Sequence, residues 1–153
     1  MSLRTRITDD MKSAMKAKDS KRLSTLRLVS AAIKDRDIAA RTSTDDQGVS
    51  DSDILAILAR MIKQRNESAR TYEEAGRLEL AQEERDEITV IEGYLPKQMD
   101  DAAITRAIDD EVAALGAGSI RDMGRVMAAL KTRYTGQMDF ASVGPRVKAR
   151  LSG

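Results

Sequence analysis

The stretch Ser50-Asp51-Ser52-Asp53-Ile54-Leu55-Ala56-Ile57-Leu58-Ala59-Arg60-Met61-Ile62 decides the fold class. Ile54, Ile57, Leu58, Met61 and Ile62 recur at three- and four-residue intervals, the spacing of one helix face. Ser50 and, three residues on, Asp53 have the side chains of a helix N-cap and of the carboxylate that reaches back to it. The spacing predicts a long helix to about Ala75, with Gly76 placed to end it.

Working outward, the same period recurs on both sides. Leu3, Ile7, Met11, Ala14 and Met15 mark a helix over 2–18, with Lys12, Lys16 and Lys18 near its end and Asp19 and Ser20 as punctuation. A second helix over 20–41 turns Leu23, Leu26, Val29 and Ile33 inward and carries a separate basic stripe at Arg27, Lys34 and Arg41. Thr42 to Gly48 lacks periodicity and reads as a mobile loop. Leu78, Ala81, Ile88 and Ile91 mark a fourth helix ending near Gly93. Leu95-Pro96 is the expected boundary, because a proline drives the residue before it out of the helical region. Beyond it, Asp100 caps a helix holding Ile104, Ala107, Ile108 and Val112 that ends at Gly116. Ser119 and Asp122 bracket the next start, leading to Met123, Val126, Met127 and Leu130, with Gly136 as its stop. Val143, Val147 and Leu151 mark a last helix, which Pro145 predicts to start nearer Ser142 or to kink. The expected fold is all-α: a four-helix domain over 1–95 and a three-helix domain over 96–153.

Composition agrees with helical packing and removes several chemistries. Aromatic residues make up 3% of the 153 and prolines number two, which suits packed Leu, Ile, Ala and Met better than a β-sandwich. Histidine and cysteine are absent, so the usual zinc ligands, thiolate nucleophiles and commonest neutral-pH base are missing, and disulfides are impossible. No catalytic residue and no cofactor is expected. No apolar run approaches the roughly 20 residues of a membrane span, and residues 1–10 lack the apolar core of a signal peptide. Cytoplasmic residence is the expectation, with no membrane partner.

The net charge of +1 hides an uneven distribution: residues 1–41 hold 11 Lys+Arg against 5 Asp+Glu, residues 42–118 hold 8 against 18, and residues 119–153 hold 7 against 2. The last block concentrates Arg121, Arg125, Lys131, Arg133, Arg146, Lys148 and Arg150, the densest positive surface available for phosphates. Tyr134 and Phe140 lie between these helices; packing is the expected role, stacking on a base the alternative.

Three further stretches admit a functional and a plain reading. Gly116-Ala117-Gly118-Ser119 could cradle a phosphate, but no strand precedes it and no Lys-Ser/Thr pair follows, which favours a capping turn. Glu83, Glu84, Asp86, Glu87 and Glu92 interleave with one apolar stripe and read as a solvated face rather than a Mg²⁺ site. Lys63-Gln64-Arg65-Asn66-Glu67-Ser68, with Tyr72, is polar all round within an otherwise apolar helix, so partners are expected for it.

Met15-Lys16-Ala17-Lys18-Asp19, Arg22-Leu23-Ser24-Thr25-Leu26-Arg27, Lys63 to Ser68, Tyr94-Leu95-Pro96 and Asp122-Met123-Gly124-Arg125-Val126-Met127 resemble, in order and spacing, the stretches of YqeY-like proteins. The resemblance covers nearly the whole chain. It implies that the C-terminal part is similar to the helical tail of GatB, the B subunit of the tRNA-dependent Asp/Glu amidotransferase, which contacts tRNA. The glutaminase and kinase sites of that enzyme lie in parts not represented here. Family members carry the label of carbon-nitrogen ligases with glutamine as amide donor, chemistry that needs an activated nucleophile; this chain offers no Cys and no Gly/Ser-rich amidase segment. The resemblance thus implies a tRNA- or other RNA-binding protein, with amidotransferase subunits as possible partners. A ligase, or a helical adaptor between proteins, is the alternative.

Overall fold

The computed structural model describes residues 2–40 and 48–152. Residues 42–47 of the expected Thr42–Gly48 loop, and Arg41 of the basic stripe, lie outside them. Among the described residues there are seven α-helices and no strand: α1 Leu3–Lys16, α2 Ser20–Ala40, α3 Asp51–Glu74, α4 Leu78–Glu92, α5 Asp101–Leu115, α6 Met123–Arg133 and α7 Phe140–Ser152, with a short 3₁₀ turn at Ile120–Asp122 before α6. None of these helices is long and apolar enough to cross a membrane. The chain divides into two compact units, Met1–Leu95 and Pro96–Gly153.

In the first unit the helix boundaries follow from side chains competing for terminal backbone groups. Ser2 caps α1 by accepting from the Thr5 amide at 3.1 Å. Asp19 opens α2 the same way, accepting from the Arg22 amide at 3.2 Å, and Lys18 turns the chain there with φ of 58°. Ser50 and Asp53 form the full reciprocal box at the head of α3. Gly76, at φ of 73°, ends it. Leu26, Val29, Ile54, Leu58 and Ile91 are fully enclosed in the core these four helices share. Tyr94, just past α4, is buried against it, and its hydroxyl donates to Asp10 on α1 at 2.5 Å. Burial, reinforced by that bond, pushes the phenol well above its ordinary range. Arg6 stacks over the same ring, 4.9 Å from its centre, and donates to the Gly93 carbonyl at 3.0 Å. The chain at the end of α4 is therefore tied back to α1.

In the second unit α6 packs against both α5 and α7 over a core of Ile104, Ile108, Val112, Val126, Leu130, Val143 and Val147. Tyr134 and Phe140 pack at the edge of this core, partly buried. Asp100 caps α5, accepting from the Ala103 amide at 2.8 Å, and Gly116 ends it at φ of 61°.

The last helix corrects the expectation of a start nearer Ser142. It starts at Phe140, ahead of Ser142, because the Asp139 carboxylate accepts from the Ala141 amide at 3.1 Å and its carbonyl accepts from Ser142 and Val143. Pro145 sits inside the helix. It lacks the N–H that would reach the Ala141 carbonyl, and its ring crowds the residue before it. That residue is Gly144, which has no Cβ to clash, so a glycine makes the helical proline tolerable.

Candidate nucleic-acid interface

The seven basic residues of the C-terminal block divide into two groups once α5 is in place. Asp101, Thr105 and Asp109 recur every fourth residue along α5 and form one stripe. Arg146 on α7 reaches the Asp101 carboxylate at 3.3 Å, the Asp101 carbonyl at 3.1 Å and the Thr105 hydroxyl at 2.6 Å. One turn on, Arg150 reaches Asp109 at 2.9 Å. The order of these pairs sets α7 and α5 in the same sense.

Arg133, at the end of α6, stands 3.2 Å from Oε1 of Glu111. Glu111 is buried, and the oxygen has no aligned hydrogen bond among the described residues, so the ion pair is its compensation. Arg125 donates to Asp122 at 2.9 Å and to the Leu115 carbonyl at 3.3 Å. Asp122 also accepts from the Gly118 and Ser119 amides, at 3.0 and 3.3 Å. The Gly118 bond first, then the Arg125 guanidinium, holds its carboxyl below the usual range. The Gly118 and Ser119 amides thus face a carboxylate of their own chain, while those of Gly116 and Ala117 donate to the Ala113 and Val112 carbonyls, so the loop is a capping turn, and the Asp122-to-Arg125 motif knots the end of α5 to the start of α6.

Four of the seven cations are therefore engaged within the unit. Arg121, Lys131 and Lys148 are exposed with no partner among the described residues. Lys97 and Arg106, which fell within the acidic block of the count, are also exposed in this unit without one. The whole unit holds nine Lys+Arg against seven Asp+Glu over residues 96–153, far less lopsided than its last 35 residues suggested. Glu111 was missed outright, although the signal was present: it falls on the apolar stripe of Ile104, Ala107, Ile108 and Val112.

The polar stretch of α3 and the carboxylates of α4 lie in the first unit. Of Lys63 to Ser68, Arg65 is half-buried and donates to Glu87 on α4 at 2.7 Å and to the Met61 carbonyl at 3.3 Å. Gln64, Asn66 and Glu67 are exposed. Of the α4 carboxylates, Glu87 is held by Arg65, and Asp86 accepts from Gln82 at 2.9 Å with Lys21 at 3.9 Å. Burial, with Glu87 nearby, raises the Glu84 carboxyl. No group of three metal-ligating side chains occurs among the described residues. An open cleft of about 410 Å³ lies between the start of α2 and α4, with Lys21, Arg22 and Ser24 on one wall and Glu83, Asp86 and Glu87 on the other.

With this geometry in view, comparison with known proteins places the chain. The profile described as Yqey-like protein matches residues 4–151. The chain belongs to the YqeY-like protein family. Among similar proteins, the "Altered inheritance of mitochondria protein 41, mitochondrial" of Kluyveromyces lactis is 26% identical over 144 residues, 94% of this chain and 72% of that protein. The protein of the same name from Pyrenophora tritici-repentis is 27% identical, covering 84% of this chain and 71% of its own length. That of Eremothecium gossypii is 29% identical, covering 81% and 62%. These relatives carry a mitochondrial assignment in their names, which the expectation of cytoplasmic residence did not foresee. The YqeY-like match runs through both units, so the pairing of α5 with α6 and α7 lies within the family region.

Proposed function

We propose that this YqeY-like chain is a non-catalytic RNA-binding protein, with tRNA the expected class, and that its second unit makes the contact. The observation that carries the reading is the group of exposed cations Arg121, Lys131 and Lys148, which stand without carboxylate partners after the rest of the basic block has been paired within the unit. Arg125, Arg133, Arg146 and Arg150 are paired with carboxylates of the same unit, with Arg146 and Arg150 still part-exposed. Phosphate recognition needs such fixed and free positive charge and no cofactor. The proposed setting is cytoplasmic, and amidotransferase subunits remain the protein partners to test.

Filter binding of tRNA by the full chain across a salt series tests the reading. Three phosphate contacts give a log–log salt slope of about −2 to −3, hence a roughly 20- to 40-fold loss of affinity for a fourfold rise in salt. The triple variant Arg121→Glu, Lys131→Glu, Lys148→Glu should lose binding and the slope with it. No binding at low salt, or equal binding by that variant, would overturn the proposal.

A further inference from the structure

Helix α2 carries apolar side chains on two sides. Leu26, Val29 and Ile33 are buried against the first unit, yet Leu28 is 45% and Ile38 65% exposed, two of the five large hydrophobic side chains so exposed among the described residues. They are not scattered. Ser24, Leu28, Ala31, Asp35 and Ile38 follow the four-three spacing of a helix-pairing seam, all exposed, on the side away from the core. Beside this seam run Arg27 and Lys34, one heptad apart, both exposed and without an ion-pair partner among the described residues.

We infer that the outer face of α2 is a docking surface for an amphipathic helix of a partner protein that carries carboxylates beside its apolar seam. The flanking charge selects the occupant. A second copy of this chain laid antiparallel on the seam would set the row of Arg27 and Lys34 against itself, like charge on like; laid parallel, it would face Asp35 with Asp35. An anionic lipid surface would receive Leu28, Ala31 and Ile38 as its main apolar contact, because Leu26, Val29 and Ile33 are already buried. Phosphates of RNA would use the two cations and leave the apolar seam wet. A helix with Leu or Ile at its seam and Glu or Asp on its flank answers both features, and its own cations have Asp35 to meet.

The test uses the full chain and two synthetic helices with identical leucine seams, one flanked by glutamate and the other by lysine, followed by fluorescence anisotropy at low and moderate salt. The glutamate helix should bind at least tenfold more tightly than the lysine helix, and raising salt should narrow the ratio. Leu28→Glu with Ile38→Glu, both on an exposed helical face, should abolish binding while circular dichroism stays unchanged. Arg27→Glu with Lys34→Glu should invert the preference toward the lysine helix. No saturable binding of the glutamate helix, equal binding of both helices, or insensitivity to Leu28→Glu with Ile38→Glu would overturn the inference. So would phosphatidylglycerol vesicles or tRNA whose binding falls with the Leu28 and Ile38 variant, since the seam would then belong to lipid or RNA. Arg121→Glu, Lys131→Glu, Lys148→Glu should leave helix binding intact, which separates this surface from the proposed RNA contact.

Discussion

Replacing Arg133 by alanine should destabilise the second unit far more than its exposed position suggests. The Glu111 side chain is 4% exposed and that of Arg133 63%, so the variant strands a buried carboxylate whose compensation came from a partly solvated cation. Breaking a fully buried pair costs about 3–5 kcal/mol, and an exposed one contributes about 0–1. Solvent reaches this pair from the arginine side, which places the cost between the two, at about 1–2 kcal/mol. For a unit of this size that corresponds to a drop in midpoint of roughly 5–15 °C. Thermal unfolding of the full chain, with amide exchange of Val126 and Leu130 reporting on α6, reads it out. Lys131→Ala, two residues away and without a partner, is the control and should stay within about 0.5 kcal/mol. Glu111→Leu added to Arg133→Ala should restore stability, because an apolar side chain suits the stripe on which Glu111 lies. If Arg133→Ala unfolds like Lys131→Ala, or the leucine fails to rescue it, Arg133 is not the compensating charge.

The turn at Asp122 makes a pH-dependent prediction. Its carboxyl is held below the usual range, so the stabilisation it gives the turn is present above the ordinary aspartate value of about 4 and is lost as pH falls through its lower native value. The Gly118 and Ser119 amide resonances should titrate with a midpoint below about 4, and the transition should vanish in Asp122→Asn; a midpoint at or above the ordinary value refutes the assignment. Pro145→Ala should stabilise the chain by about 1–2 kcal/mol, a hydrogen bond and helix propensity gained against a smaller rise in unfolded-chain entropy. A fall in thermal midpoint would mean that the proline ring, although exposed, holds α7 in place.

The periodicity of Leu, Ile and Val was enough to read seven helices and an all-α class, because burial of one face is a local property repeated along each segment. Caps at Ser50 and Asp100 were likewise legible, since a cap acts within three residues. Local reading failed at Phe140, where it weighed the penalty of Pro145 but not the relief from Gly144 or the Asp139 cap. It also stopped short at the basic block. The count over 119–153 saw seven cations and two carboxylates, while the charges that neutralise them sit on α5, 22 to 45 residues earlier in the chain for Arg133, Arg146 and Arg150.

The sequence by itself determined the helical class, the missing histidine and cysteine chemistry and the family, because each is carried by residue type and short-range spacing. Which positive charges are paired inside the second unit and which face outward, and that Leu28, Ala31 and Ile38 stand exposed on the outer side of α2, follow only from how the helices pack. Charge compensation acts through space at about 3 Å, between side chains that the chain order keeps far apart.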